Sequence, residues 1–293
     1  MSRLVFIIIA IALVVIWGSA FTMIDVAVRS LSPIWLVAGR IFLAALMITA
    51  YIYIKGLRLP ALRDRRWLWY AVMGMIGMVL PFFLISVGQK TIESGLSAIL
   101  IGAMPLMTII LAHFFTEERM TLVKLIGFVI GFGGLIVLFF PKDFSFGLVS
   151  DWKAQSLILA GALCYALATI IAKRAPQTDS SVAASMMLIC GTAFAAIWAL
   201  IEGVPQSPPD PIALWMVLGL AVGSTGITTI LYLYMIEVKG PTIMATINYF
   251  VPVASVIFGV WLLNEKITLQ IIIAFFTIVT GVIISRIKTA PKN

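Results

Sequence analysis

The chain has 293 residues, of which 62% are hydrophobic and only 11% are charged. A soluble domain carries about 25% charged residues, so this chain has too little charge to build a wetted surface and reads as an integral membrane protein. Its net charge of +8 does not point to nucleic acid, because excess Lys and Arg in a multi-span protein collect in cytoplasmic loops.

A helix needs about 20 mostly apolar residues to cross a bilayer. Ten segments meet that test: Leu4–Asp25, Pro33–Ile54, Trp67–Val87, Thr91–Phe114, Leu122–Phe140, Lys153–Ala172, Ser180–Ile201, Pro211–Ile236, Pro241–Leu263 and Ile267–Ser285. Met1-Ser2-Arg3 and the apolar run behind it have the outline of a secretory signal. The run continues to Met23 with no small-residue cleavage motif after it, so it is read as the first span. The links hold turn formers: LSP at 31–33, VPQSPPDP at 204–211 and KGP at 239–241. The longest link, Pro141 to Trp152, divides the chain in the middle.

The two sides of that link repeat each other. Shifted by about 147 positions, Ala98–Leu122 lies on Ala245–Leu269 without gaps. Pro105 then meets Pro252, Glu118 meets Glu265, Phe128 meets Phe275 and Gly134 meets Gly281. With the N-terminus inside, fourteen of the basic residues fall in inner loops and five (Arg29, Lys90, Lys142, Lys153 and Lys266) fall in outer ones. That bias places both termini in the cytoplasm. Five spans per half then invert the second half relative to the first. The expected fold is all-α and integral to the membrane: ten transmembrane helices as two inverted five-helix repeats, over residues 1–145 and 150–293. Inverted repeats allow each half to take the other's conformation, the basis of alternating access in secondary transporters.

Ionisable residues inside spans are candidates for function. The carboxylates lie at or beyond helix ends, with Asp25 near the outer end of the first span. Arg40, about two turns inside the second span, is the exception; it can snorkel outward or bond to carbonyls and Asp25. A structural role is expected for it, and an interfacial one for His113, the single histidine. Cys164 and Cys190 fall inside helices without metal-ligand spacing and read as packing residues. No metal and no cofactor is expected. A membrane-embedded enzyme is disfavoured, since it needs clustered His, Asp, Glu or Cys.

Pro81, Pro105 and Pro252 each remove a backbone hydrogen bond within a span and are the expected kinks or hinges. The freed carbonyls must find a neighbour, water or ligand. In the eighth span Thr225, Thr228, Thr229 and Tyr232 follow helical spacing on one face. Ser94, Ser97 and Thr108 form a similar stripe in the fourth span, and Met244, Asn248 and Ser255, with Tyr249 adjacent, in the ninth. Trp17 and Tyr165 hold matching mid-depth places in spans one and six, and Phe82 and Phe83 follow Pro81. Helix packing and an aromatic chamber both account for these groups. The candidate substrate-binding set is Trp17, Phe82, Ser97, Tyr165, Thr225, Thr228, Asn248 and Tyr249. Leu188 of the seventh span is assigned to the lipid side.

VIWGSAFTMI, AGRIFLAALMI, EERMTLVKLIGFVIGFGGLIVL and NEKITLQIIIAFFTIVTGVII resemble the EamA family of the drug/metabolite transporter superfamily across essentially the whole chain. The resemblance implies a bacterial inner-membrane carrier that exports amino acids or related metabolites. TIMATINYFVP is similar to the matching stretch of the family's aromatic amino-acid exporters. Where those carry a tryptophan in the sixth span, this chain has Tyr165. The expected activity is export of neutral or aromatic amino acids by alternating access as a facilitative uniporter, because no mid-span carboxylate is present to carry a proton. A proton-coupled drug or metabolite exporter is the alternative. The expected partners are a small-molecule substrate and the lipid bilayer, not nucleic acid, and a monomer is compatible with this pattern.

Overall fold

A computed structural model describes residues 2–116, 120–139, 152–205, 207–239, 247–248 and 250–285. Among these residues the chain is all-helical. We label the helices in chain order: α1 (Arg3–Ala27), α2 (Pro33–Ile54), α3 (Arg66–Gly88), α4 (Ser94–Phe115), α5 (Leu122–Phe139), α6 (Trp152–Arg174) and α7 (Ser180–Glu202). The next, α8, opens as Pro211–Gly219, turns π-helical over Leu220–Ile227 and continues as Thr228–Lys239. Last come α9 (Val251–Leu263) and α10 (Leu269–Ser285). Among the described residues seven helices are long and apolar enough to cross a bilayer; Leu122–Val137, α9 and α10 are shorter apolar helices.

Local chemistry sets the helix starts. Ser2 Oγ accepts from Val5 N at 3.3 Å, and Asp179 Oδ1 accepts from Ser181 N at 2.9 Å at the head of α7. Asp210 Oδ1 accepts from Ile212 N at 2.8 Å, with Pro211 opening α8. Such side chains satisfy the orphan N–H groups of a first turn, and proline fits there because its missing N–H had no partner anyway. Before α3, Arg66 donates to both Asp64 oxygens and holds that carboxyl below its ordinary range.

Helices pair in a regular pattern: α1 with α9 and α6 with α4; α3 with α7 and α8 with α2; α3 with α6 and α8 with α1. Three further pairs are α2 with α7, α4 with α9, and α5 with α10. Small residues permit the closest approaches. A Cβ built on Gly281 of α10 would sit 2.3 Å from Gly131 N of α5, and one on Gly18 of α1 would sit 2.5 Å from Ala254 Cβ of α9. Lipid offers apolar surfaces no hydrophobic drive to associate, so such backbone contact and its dispersion energy hold helices together. The outer surface carries large apolar side chains, among them Ile8, Phe42, Leu46, Ile197, Trp215, Trp261 and Phe276. Leu188 is not among them. It is fully buried, within the cluster that includes Ile34, Ile41, Val79 and Leu220. The seventh span is apolar on every side, so composition alone does not separate its lipid face from its packed face.

Candidate functional site

Two of the helices change register where they meet the bundle centre. In α3 the residues Met75–Val79 are π-helical, just before Pro81. A proline ring collides with the carbonyl four residues back, here Gly77, and a wider turn relieves that clash. In α8 the π-helical stretch is Leu220–Ile227, which contains no proline. The sequence offset of about 147 carries 75–79 onto 222–226, inside that stretch.

Pro105 and Pro252 act differently from mid-helix prolines. The fourth span stops at Ile101, turns through Gly102 and Ala103, and restarts at Met104 with Pro105 second. Likewise α9 starts at Val251 with Pro252 second, after a turn at Phe250. Each proline therefore sits in a first turn, where its missing N–H costs little. The two breaks face each other: a Cβ on Gly102 would lie 3.6 Å from Pro252 Cγ.

Arg40 lies at the centre of the polar contacts. It is only 5% exposed. Its Nε donates to Thr225 Oγ1 at 2.8 Å, and its Nη2 donates to Ser224 Oγ at 3.3 Å. The guanidinium carbon stands 3.8 Å over the Phe82 ring centroid. Phe82 in turn meets Tyr165 edge to face, with centroids 6.4 Å apart. Four helices, α2, α3, α6 and α8, thus deliver Arg40, Phe82, Tyr165 and Ser224 with Thr225 to one layer. Asp25 does not reach Arg40; it pairs with Arg29 in the turn just past the end of α1. Among the described residues the ion pairs are Arg29 with Asp25 and Arg66 with Asp64, so no described carboxylate pairs with the Arg40 charge.

The other candidates are spread around this layer. Trp17 packs edge to face on Tyr232 at 6.0 Å, in a separate cluster with Leu13, Met235 and Ile247. Thr228 is buried and its hydroxyl donates to Ser224 O of its own helix at 2.7 Å. Ser97 is also buried and bonds back to Glu93 O at 3.0 Å. Asn248 is exposed, and Tyr249 lies outside the described residues. His113 Nδ1 accepts from Met120 N at 3.1 Å, which ties the end of α4 to the segment before α5. The candidate set thus contributes Phe82, Tyr165 and Thr225 to a common layer and omits two members of it, Arg40 and Ser224. The signal for Arg40 was in the sequence, since it is the one charge deep within a span. Its partners lie 184 and 185 residues away, beyond any local pattern.

At one end of the bundle Glu265, between α9 and α10, reaches the head of α4. Its two oxygens accept from Ser94 N at 2.6 Å and Gly95 N at 3.0 Å. A carboxylate at a helix N-terminus satisfies orphan donors and meets the positive end of the helix dipole. Its repeat counterpart Glu118 lies outside the described residues.

Comparison with known proteins places this architecture. The model of the EamA-like transporter family matches residues 4–140 and again 152–287. An uncharacterized transporter, YoaV, of Bacillus subtilis is 23% identical over 93% of each chain. The uncharacterized inner membrane transporter YedA of Escherichia coli K12 is 25% identical over 88% of this chain and 82% of its own. A probable terminal-alkyne amino-acid exporter of Streptantibioticus cattleyicolor is 26% identical over 85% of this chain and 82% of its own. A crystal structure with 18% identity superposes over 97% of each chain with a TM-score of 0.66, which shows a shared fold. The chain is a multi-span membrane transporter that belongs to the EamA-like transporter family.

Proposed function

We propose that this transporter exports small amphipathic metabolites, neutral or aromatic amino acids first among them, by alternating access as a facilitative uniporter. It does so from a bacterial inner membrane with both termini in the cytoplasm. The repeats are residues 1–145 and 150–293, related by inversion. Exchanging the first five helices for the last five turns each of the pairings named above into itself or into another of them, which supports that reading. So does the coincidence of the two π-helical stretches under the sequence offset.

The observation that carries the proposal is the layer around Arg40. A site exposed to each side in turn must be built from both halves. Here Arg40 and Phe82 come from the first and Tyr165, Ser224 and Thr225 from the second. The aromatic rings supply walls for an apolar body. Trp17 with Tyr232 forms a second aromatic pair beside this chamber, and the facing breaks before Pro105 and Pro252 supply hinges. Ser97, Thr228, Asn248 and Tyr249 complete the proposed lining. The amino-acid class is also that named for the Streptantibioticus relative.

Proteoliposomes preloaded with unlabelled phenylalanine and lacking any ion gradient should accumulate labelled phenylalanine by counterflow. Uptake that depends strictly on a proton or sodium gradient would remove the uniport reading. Absence of counterflow across a panel of amino acids would remove the substrate class. Reporter fusions at Asn293 and within 141–152 should lie on opposite sides of the membrane; the same side for both would end the inverted-repeat reading.

A further inference from the structure

Arg40 poses an electrostatic problem that its neighbours do not solve. A buried guanidinium without a counter-charge costs several kcal/mol even after relaxation. Two hydroxyls and the face of Phe82 solvate it, but they carry no net charge. The bonds to Thr225 and Ser224 use the Nε–Nη2 edge. No described residue accepts a hydrogen bond from Nη1, so among the described residues the end-on edge formed by the two terminal nitrogens is engaged through Nη2 alone. That edge matches a carboxylate, which takes two parallel N–H bonds from a guanidinium.

The scaffold itself does not need a charge here. The offset of about 147 carries Arg40 onto Met187 of α7, and Ser224 and Thr225 onto Gly77 and Met78. Met187 meets Gly77 in turn: its Cε lies 3.6 Å from a Cβ built on that glycine. The same helix crossing is therefore made once with a thioether and once with a guanidinium. Bridging α2 to α8 is thus not a sufficient reason for the cation.

We infer that Arg40 is the carboxylate anchor of the transport site, and that the substrates are small monocarboxylates with an apolar or aromatic body. This rests on the transport reading above and assigns the polar half of that site. One guanidinium balances one negative charge. A phosphate ester would need a second cation at the same depth, and the remaining Lys and Arg residues lie at helix ends or in loops. Phe82 and Tyr165 stand against the apolar body while Thr225 and Ser224 hold the guanidinium plane in place.

The test uses three probes that differ at the carboxylate: phenylalanine, 3-phenylpropanoate, which keeps the carboxylate and lacks the amine, and phenylalaninamide, which lacks the carboxylate. Calorimetric binding to the purified full chain and competition in counterflow are both read. The parent should bind phenylalanine and 3-phenylpropanoate and should prefer them over the amide by roughly 10- to 100-fold. Arg40→Gln should abolish that preference, and Arg40→Lys should retain part of it. Equal binding of the amide by the parent overturns the inference while leaving transport intact. So does a parent-like preference in Arg40→Gln. Should counterflow fail for every substrate, the transport reading falls, and calorimetry still decides the anchor. There, 3-phenylpropanoate bound by the parent and lost in Arg40→Gln supports it, whereas equal binding, or none by either protein, overturns it. Should Arg40→Gln not fold, the parent's own discrimination and the Arg40→Lys value carry the decision.

Discussion

α2 crosses α8, and α7 crosses α3, at places that the sequence offset makes equivalent, yet the two crossings differ in chemistry. The first holds Arg40 against Thr225 and Ser224, with Phe82 over the guanidinium. The second holds Met187 against Gly77. Their surroundings are alike: α2 and α7 pack on each other, joined by Thr49 Oγ1 and Ser185 Oγ at 2.8 Å. The difference separates two tasks. Backbone approach and apolar packing recur in both halves and hold the bundle. The cation and its hydroxyls occur at one of the two crossings only, so they are not required for holding and are available for recognition.

The sharpest way to break this division is to disturb a recurring contact. Gly281 lies against Gly131 and Gly127 so closely that any Cβ must force α5 and α10 apart. Gly281→Leu should lower the melting temperature of the purified protein or prevent its isolation, with a stability loss of about 1–3 kcal/mol or more. Gly133→Ala, on the partner helix α5, meets nothing within 4 Å and is the control. Should Gly281→Leu melt like the parent and change only selectivity, the recurring contacts are not the ones that hold the bundle.

Next in size is Arg40→Met, which rewrites the first crossing in the manner of the second. Removing a buried, uncompensated charge relieves its desolvation cost, so the variant should melt within a few degrees of the parent. Counterflow of phenylalanine should fall by roughly 100-fold, the scale of two lost charge-assisted hydrogen bonds. Met187→Leu should change neither quantity measurably. A strongly destabilised Arg40→Met would return Arg40 to the structural role expected of it from sequence. The aromatic groups sharpen the same contrast. Phe82→Ala removes the ring that stacks on the guanidinium and meets Tyr165. It should cost more transport than Trp17→Ala, whose ring packs on Tyr232 in a neighbouring cluster. Transport rates at equal protein level in liposomes check the order, and the reverse order would move the chamber towards Trp17.

The helical segments were legible because a bilayer imposes a local rule: long apolar runs bounded by turn residues. Pro33, Ser180 and Pro211 open helices where the sequence places them, since caps and prolines act within one turn. The π-helical stretches were not legible, because a register change in α8 has no proline or other local marker and depends on what packs against it. The contact between Arg40 and Thr225 was equally hidden, being set by packing across the two halves. Leu188 shows the same limit on an apolar scale, since a helix apolar on every side does not display which side is covered. Asn248, which spacing puts on one face with Ser255, is exposed while Ser255 is fully buried, so spacing alone does not tell which of the two is covered.

The smallest expected effects come from two threonines one turn apart, and they test whether the π-helical stretch of α8 selects which hydroxyls face the site. Regular helical spacing puts Thr225 and Thr228 on one face and gives them equal standing. The structure does not treat them equally. Thr225 Oγ1 accepts from Arg40 Nε at 2.8 Å, whereas Thr228 Oγ1 donates to Ser224 O within its own helix. Both are buried. Thr225→Val keeps the shape and deletes the acceptor, so Arg40 loses a partner in an apolar layer. The net worth of such a bond to a charged group is about 1.5–3 kcal/mol, and part of it should appear as a roughly tenfold weaker apparent affinity for a carboxylate substrate. Thr228→Val deletes only a hydroxyl that bonds back to Ser224 O of its own helix and does not touch Arg40, so affinity should stay within about twofold of the parent, the scale of a few tenths of a kcal/mol. Concentration dependence of counterflow for the two variants decides it. Equal losses would mean that the face, and not the contact with Arg40, sets their role.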